Sequence, residues 1–348
     1  MMFAKVLIGL LPALVLVPPV LVPQVLISRA EAASFDCNGA RTPFAKAVCN
    51  TPDLSKADDA VAAAFKAALD GLSAPAKAEV QSAQDAWVKF ANIACTNNAK
   101  LAKKPYDKDG LSCLENLFAD RTEQLKNSKT LGGLRVYYVD RYAALQDPDA
   151  SNDNVDVATK SVSTPRIEGA DPIAAAFNNF IQTATGGYLD ANIADAPKPA
   201  DGSEDDANSL IVTTVNPVRI SMTVNIYAYG HGAAHGNSSI TYLHFLRGKN
   251  RPMTADDLFT GKDWRAHLQT LALPAVTKAM GDNLMLDDPS SLNNLVVDPA
   301  RWDFSKDGLI LQFEPYEVAP YAAGAPTVTI PWADLKADLV ANAADYQN

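Results

Sequence analysis

The four cysteines constrain the fold of this chain more than any other feature, because all of them lie within residues 37–113. They are Cys37, Cys49, Cys95 and Cys113. Four cysteines permit three pairings, and only the sequential one joins neighbouring elements. We therefore favour the disulfides Cys37–Cys49 and Cys95–Cys113. A zinc site is the alternative, but the chain has no CxxC motif and this region has no histidine, whereas structural zinc needs closely spaced Cys or His ligands.

A leader sequence precedes the cysteines. Lys5 supplies a positive charge, residues 6–27 are almost entirely apolar, and Ala30-Glu31-Ala32 has the small-x-small pattern that signal peptidase recognises. A membrane anchor is the alternative, since about 22 apolar residues can span a bilayer. Because Pro18, Pro19 and Pro23 interrupt the run and a cleavage pattern follows it, we predict a signal peptide over residues 1–32, cleaved after Ala32 or Ala33. The mature protein is then periplasmic or secreted, where disulfides persist.

Charge is divided unevenly along the chain. Residues 33–127 carry 12 basic and 12 acidic side chains, whereas residues 128–348 carry 16 basic and 27 acidic ones. Such an acidic domain repels nucleic acid and anionic lipid and attracts cationic partners. No second apolar stretch is long enough to span a bilayer, so we predict neither a nucleic-acid partner nor a membrane partner after signal cleavage. Solubility alone is the competing explanation of the acidity.

Apolar residues recur at helical spacing through the first predicted domain, residues 34–127. The pattern predicts helices over residues 43–49, 54–72, 75–95 and 111–126. Trp87 lies on the apolar stripe of the third of these helices. Its periodicity favours a position in the core over a contact with a partner.

The pattern changes in the second half of the chain. We predict a connecting segment over residues 128–163, which ends in a polar linker over 147–163, and a second domain over residues 164–345. A polar surface loop is expected at 196–208. Alternating Val, Ile, Thr and Tyr residues predict strands within 210–229 and at 239–246, 309–313 and 327–330, and helices are expected over 173–183, 263–280 and 332–341. The predicted fold class is α+β: a small disulfide-stapled helical domain followed by an α+β domain with a mainly antiparallel sheet.

Residues 34–127 resemble the N-terminal domain of LprI-type lysozyme inhibitors. The resemblance implies a helical domain of a protein that inhibits lysozyme. One departure is that Lys89, Phe90 and Asn92 occupy the stretch in which the family usually has an arginine. The segments that carry the resemblance are Phe35-Asp36-Cys37, Ala47-Val48-Cys49, Asp53-Leu54-Ser55 and Gln84-Asp85-Ala86-Trp87, followed by Cys95.

About residues 160–345 are similar to the extracytoplasmic domain shared by RsiV-type anti-sigma factors and peptidoglycan-deacetylase accessory modules. We expect neither an anti-sigma role nor deacetylase activity, because a cytoplasmic sigma-binding segment, a transmembrane helix after export and a deacetylase domain are all lacking. The segments that carry the similarity are TPRIEG at 164–169, GAAHGN at 232–237, LF at 258–259 and FEPYEVAPYAAG at 313–324, which continues into VTIPW at 328–332.

Two pairs of residues have spacings that are compatible with chemical sites. His231 and His235 have the i,i+4 spacing of zinc ligands on a helix, but the three glycines around them predict a tight turn. Glu314 and Glu317 could form the acid and base of a glycosidase, whereas a proline-shaped strand exit with capping carboxylates is the simpler interpretation. We find no nucleophile elbow, phosphate loop or redox CxxC. We therefore predict no metal, no cofactor and no enzymatic activity.

A binding surface is the preferred interpretation of the second half. Two tyrosines that each directly follow a proline lose little conformational entropy on docking, and tyrosine is a common interface anchor. A turn that packs over the sheet is the alternative, and the two stay open. The predicted partner-binding residues are Pro315, Tyr316, Glu317, Pro320, Tyr321, His235 and Asn237.

Both resemblances concern families linked to lysozyme, and lysozymes are commonly basic. We therefore predict an exported envelope protein that binds, and could inhibit, lysozyme-like glycan hydrolases, with the acidic domain steering the encounter. The first alternative is a non-catalytic accessory module that binds peptidoglycan. The second is a carbohydrate-active hydrolase.

Overall fold

A computed structural model describes residues 37–96, 104–146, 157–188 and 204–347. The predicted signal peptide and its cleavage site lie outside the described residues. So do residues 147–156 of the predicted linker and residues 196–203 of the predicted polar loop. In the part of the chain that the structure describes, no helix is long and apolar enough to cross a membrane.

Helices make up the first part of the described chain. Thr42 caps α1 by accepting a hydrogen bond from Ala45 N at 3.1 Å, and Asp107 caps α4 by accepting one from Gly110 N at 2.8 Å. Prolines begin α1 and α2, where the missing N–H would have no helical partner. The helices are α1 (Pro43–Asn50), α2 (Pro52–Leu69), α3 (Ala74–Ala94) and α4 (Lys108–Lys126).

The two disulfides are Cys37–Cys49 and Cys95–Cys113, so the predicted pairing is confirmed. The first closes the chain onto α1, and the second joins the end of α3 to α4. The bonded cysteines are 12 and 18 residues apart, and closing loops of this size stabilises a fold by roughly 3 kcal/mol each. Trp87 is 1% exposed and packs edge-on against Phe118, with ring centroids 5.1 Å apart. Its predicted core position is confirmed.

The described residues next form a seven-stranded sheet, whose strands lie side by side in sequence order. The β3–β4 pair is parallel and the other pairs are antiparallel, so the predicted α+β class with a mainly antiparallel sheet is confirmed. The strands are β1 (Thr130–Leu131), β2 (Leu134–Gln146), β3 (Val157–Ile167), β4 (Glu204–Val215), β5 (Arg219–Gly230), β6 (Asn237–Leu246) and β7 (Arg251–Pro252).

Helix α5 (Pro172–Tyr188) lies in the crossover that the parallel β3–β4 pair requires. It buries Phe177 and Ile181 against the sheet, and Phe177 meets Phe245 of β6 edge-on at 5.6 Å. The core of the large sheet therefore lies between its strands and α5.

A three-stranded antiparallel sheet, in the order β10-β9-β8, and short helices complete the described chain. Trp264, Trp302 and Phe259 form the centre of their core, with Phe259 stacked on Trp264 at 4.5 Å. The strands are β8 (Trp302–Phe304), β9 (Gly308–Gln312) and β10 (Thr327–Pro331), and the helices are α6 (Ala255–Leu258), α7 (Trp264–Met280), α8 (Leu292–Leu295) and α9 (Trp332–Leu335). The 3₁₀ turns are Cys37–Gly39, Gly281–Asn283, Pro289–Ser291, Pro299–Arg301, Tyr321–Ala323 and Ala343–Tyr346.

Three stretches differ from what we expected. Residues 157–163, predicted as linker, form the first half of β3, and residues 204–208, predicted as loop, begin β4. Polar contacts join these strands, since Asp205 Oδ1 accepts hydrogen bonds from Thr159 N at 2.8 Å and Thr159 Oγ1 at 2.7 Å. The helix expected over 332–341 ends at Leu335, because the backbone N–H of Val340 bonds to Leu258 O instead.

A buried ion pair joins the helices to the large sheet. Arg121 Nη1 of α4 donates to Asp140 Oδ2 of β2 at 2.5 Å, and the two side chains are 0% and 4% exposed. Arg121 also donates to Gln84 Oε1 of α3 at 3.0 Å and to the hydroxyl of Tyr142 at 2.8 Å. Asp140 Oδ1 accepts a hydrogen bond from Ser163 Oγ of β3 at 2.6 Å. One guanidinium group thus connects two helices with two strands.

A buried histidine joins the two sheets. His244 of β6 bonds to the carbonyl of Trp302 through Nε2 at 2.7 Å and to Ser221 Oγ through Nδ1 at 2.8 Å. Since a carbonyl only accepts, Nε2 carries the proton and Nδ1 accepts from the serine when the ring is neutral. Burial, together with the nearby charge of Arg219, lowers the pKa of His244 to about 3. The ring is therefore neutral at pH 7.

Removing Asp140 would leave the charge of Arg121 buried and unpaired. We expect Asp140→Ala to reduce the free energy of unfolding by about 3–5 kcal/mol, as for other buried ion pairs that lose one partner. Glu123→Ala, which breaks an exposed pair with Lys126 on α4, is the control and should cost less than about 1 kcal/mol. Urea denaturation followed by circular dichroism measures both. A small, equal loss in both variants would contradict the structural role of the buried pair.

The pKa of His244 predicts acid sensitivity. Between pH 6.5 and pH 3, the imidazole of His244 binds a proton in the unfolded chain but stays neutral in the folded chain. The contribution of His244 to stability is therefore complete above about pH 6.5 and is lost as the pH falls towards 3. We expect His244→Gln to lower the melting temperature at pH 7 and to flatten its decline between pH 6.5 and pH 4. If the melting temperature of this variant falls as steeply with pH as that of the unsubstituted protein, groups other than His244 cause the acid sensitivity.

Candidate functional site

Residues 313–324, which include most of the residues that we predicted to bind a partner, follow β9 and form a tight turn. Phe313, Val318 and Ala319 are almost fully buried and anchor it, and Tyr316 N donates to Ala319 O at 3.1 Å. Tyr316 has a φ of 71°, in the left-handed region that residues other than glycine rarely adopt. Its side chain is nevertheless 55% exposed. The turn therefore holds a large aromatic ring in solvent with a strained backbone.

A pair of carboxylates and one arginine hold this turn in place. Arg301 donates to both oxygens of Glu317, at 3.0 and 2.8 Å. Glu317 Oε2 also accepts a hydrogen bond from Glu314 N at 2.7 Å. Glu314 Oε1 accepts one from Ser239 Oγ on β6 and lies 3.6 Å from Arg301. Both carboxylates are thus engaged in fixing the turn to its surroundings.

Three of the predicted residues form one aromatic surface, which we call the His–Tyr cluster: His235, Tyr316 and Tyr321. The rings of His235 and Tyr321 stack with centroids 4.0 Å apart and an angle of 23° between their planes. Tyr316 lies 5.6 Å from Tyr321, ring to ring. The Tyr321 hydroxyl donates to Gly236 O at 2.7 Å, which ties the 313–324 run to the turn between β5 and β6.

Tyr227 of β5 extends the cluster along the sheet. A Cβ at position 236 would lie about 2.5 Å from the Tyr227 hydroxyl oxygen, so only glycine allows this ring to pack there. Tyr227 is 42% exposed. We did not predict it from the sequence, although it lies within a strand of alternating residues and directly before a predicted turn.

His231 and His235 lie in different environments. His231 has a side chain that is 4% exposed, with Nε2 3.2 Å from Asp205 Oδ2, whereas His235 is exposed and stacks on Tyr321. Both lie in the turn after β5 rather than in a helix, and Gly232 has the positive φ of 84° expected of glycine in a turn. The described residues include no group of three or more His, Cys, Asp or Glu side chains that could hold a metal ion.

The other predicted contact residues surround the cluster. Pro315 and Pro320 lie on either side of Tyr316 in the chain and are half-buried, and Asn237 is exposed at the first position of β6. Glu317 is 21% exposed and is bonded to Arg301, so its clearest role is to position Tyr316. The structure thus gathers His235, Tyr316 and Tyr321 on one surface. Direct partner contact by any of the seven residues stays a prediction.

Met285 contacts the 313–324 run, which we did not predict. Its N–H donates to Val318 O at 2.9 Å, and its side chain is 50% exposed. Asp282 and Asp287, on either side of it in the chain, are also exposed. No local pattern signals this contact, because Met285 meets the run through its backbone at a residue 33 positions later in the chain.

The fold defines a two-part α+β protein, in which a disulfide-stapled helical region packs on a mainly antiparallel sheet. Residues 37–125 match the family model described as Lysozyme inhibitor LprI, and residues 256–333 match the model described as Protein of unknown function (DUF3298). We call these two matched regions the LprI domain and the DUF3298 domain. The narrower similarity to RsiV-type proteins stays a prediction. The disulfides and the LprI domain support an extracytoplasmic location.

Two solved DUF3298 structures are similar to this chain. One, from Bacteroides fragilis, is 17% identical over 63% of this chain and 98% of its own, with a TM-score of 0.43. The other, from Pseudomonas aeruginosa, is 14% identical over 62% of this chain and 98% of its own, with a TM-score of 0.46. No curated protein matches the chain.

The backbone of Tyr316 predicts an unusual response to substitution. The left-handed conformation costs a residue other than glycine about 1–2 kcal/mol, which offsets the entropy that glycine loses on folding. We expect Tyr316→Gly to leave the free energy of unfolding unchanged within about 1 kcal/mol. Tyr316→Val should destabilise clearly, because a β-branched side chain fits this conformation poorly. Urea denaturation compares the two, and equal stability of both variants would contradict the strain.

Proposed function

We propose that this protein binds, and by binding inhibits, lysozyme-type glycan hydrolases, and that the His–Tyr cluster is the contact surface. The LprI domain supports the choice of partner class, because that family is named for lysozyme inhibition. The proposed location is the periplasm or the extracellular space, reached by cleavage of the predicted signal peptide. The peptidoglycan-binding alternative predicts instead that the protein sediments with purified sacculi.

The observation that carries the proposal is the exposed, preformed His–Tyr cluster. The Tyr316 side chain is 55% exposed. Its position is nevertheless fixed, because Pro315 precedes it, the Arg301–Glu317 pair holds its turn and the Tyr321 ring lies beside its own ring. A ring fixed before binding loses little conformational entropy at an interface. Tyrosines of this kind contribute much of the binding free energy in known interfaces. Strained backbone that is retained at an exposed ring also favours a functional explanation.

Charge supports a basic partner. Residues 128–348 carry 11 more acidic than basic side chains, from 27 and 16, and Asp282 and Asp287 are exposed beside Met285. Complementary charge raises association rates and selects partners more than it raises the final affinity. Because salt screens exposed charges, the association rate with a basic hydrolase should fall as salt rises, while the aromatic contact persists.

The test uses the mature chain and hen-type lysozyme. We expect binding by biolayer interferometry, weaker at 500 mM than at about 50 mM salt because surface charges are screened, and a matching loss of muramidase activity. Tyr316→Gly should weaken binding by at least about 30-fold, the effect of removing an interface hot spot, without loss of stability. Leu145→Ala removes an apolar side chain that is 41% exposed at the end of β2 and is the control.

Two results would count against the proposal. Lack of binding at low salt would exclude this class of partner. Unchanged binding of the Tyr316→Gly variant would show that the hydrolase contacts another surface.

A further inference from the structure

A cleft lies where the LprI helices meet the large sheet. Its volume is about 450 Å³, and its walls come from α3, α4 and strands β2 to β5. It continues into a smaller pocket of about 80 Å³, with which it shares Gln124, Tyr142, Ser161 and Ala207. This size is in the usual range for small-molecule sites. The cleft is separate from the His–Tyr cluster, although Tyr227 belongs to its rim.

Two buried polar atoms along this cleft are unsatisfied. Arg121 lines the cleft, and its Nη2 has no hydrogen-bond partner among the described residues, although the side chain is 0% exposed. Asn208 lines the smaller pocket, and its buried Oδ1 likewise has no hydrogen-bond partner there. Burying an unsatisfied polar group costs about 1–3 kcal/mol. One atom is a donor and the other an acceptor, so a complementary ligand must both accept and donate hydrogen bonds.

The charged side chains that line the cleft limit the class of ligand that it can bind. Asp120, Glu123 and Asp205 line the cleft with carboxylates, while the charge of Arg121 is paired with Asp140. Burial raises the pKa of the Asp120 carboxyl group, as expected for a group partly removed from water. This charge disfavours an anion. A simple cation could not accept the hydrogen bond that Arg121 Nη2 offers.

A sugar ring meets both requirements. Its hydroxyl groups accept and donate, and its apolar face packs against aromatic rings such as the exposed Tyr227 in the cleft wall. We propose that this cleft binds a neutral glycan segment of one or two pyranose rings. A ring hydroxyl or acetamido oxygen accepts from Arg121, and other hydroxyl groups donate to Asn208 and to the wall carboxylates. This site does not depend on binding of a hydrolase.

The test titrates the mature protein, with no hydrolase present, with chitotriose and separately with cellotriose by isothermal titration calorimetry. Ala207→Trp places a large ring in the cleft, at an exposed strand position that tolerates aromatic residues. Thr329→Trp, at an exposed position of β10, is the matched control. We expect Ala207→Trp to weaken binding by at least tenfold, while Thr329→Trp and Tyr316→Gly bind as the unsubstituted protein does. Melting temperatures verify that each variant is folded.

Each outcome bears on the proposal. Binding of chitotriose alone supports it and assigns the acceptor to an acetamido group, and binding of both sugars supports it with a ring hydroxyl in that place. Binding of neither sugar overturns it, as does equal binding by the Ala207→Trp variant. Loss of binding in Tyr316→Gly would overturn it by moving the glycan to the His–Tyr cluster. Since no hydrolase is present, none of these results depends on the proposed inhibition of lysozyme.

Discussion

The buried pair of Arg121 and Asp140 is the interaction on which the arrangement of the two parts depends. It connects α3 and α4 to β2 and β3 through hydrogen bonds of 2.5–3.0 Å. Strand β2 consequently serves two cores, because Tyr137 is buried with the helices while its neighbours Val136 and Tyr138 are buried with the sheet. A buried pair is expensive to desolvate, so its value here is to specify how the two parts meet.

The same chemistry recurs at the His–Tyr cluster. There, Arg301 is 12% exposed and binds Glu317 through two parallel hydrogen bonds, a geometry that arginine and carboxylate favour. The result is a turn rigid enough to keep Tyr316 in a left-handed conformation. In both halves, the guanidinium group of a mostly buried arginine fixes one structural element against another: Arg121 fixes the helices against the sheet, and Arg301 fixes the turn that carries Tyr316.

The proposed surfaces are neighbours on the sheet. Tyr227 packs against Gly236 beside the His–Tyr cluster and also lines the cleft under the LprI helices. A protein bound at the cluster and a glycan bound in the cleft would therefore meet near this ring. Strand β5 thus connects the aromatic cluster with the polar cleft.

Local sequence patterns determined much of this protein. Periodicity located the helices of the LprI region and the core position of Trp87, and cysteine order favoured the observed disulfides, because these features depend on residues close together in the chain. The run at 313–324 could also be singled out from the sequence, because its prolines and tyrosines lie close together in the chain. Its hydrogen bond to the turn between β5 and β6 was not predicted, because it joins Tyr321 to Gly236 across 85 positions.

Only the tertiary structure decided the rest. Residues 157–163 and 204–208 form strands through backbone pairing with β2 and β5, and Thr159 and Asp205, 46 positions apart, add hydrogen bonds between them. Neither segment shows the apolar alternation that marks a strand. Met285 meets the 313–324 run, and Arg121 reaches Asp140, through contacts between segments that are distant in the chain. Such contacts follow from packing in three dimensions, which no local pattern of residues contains.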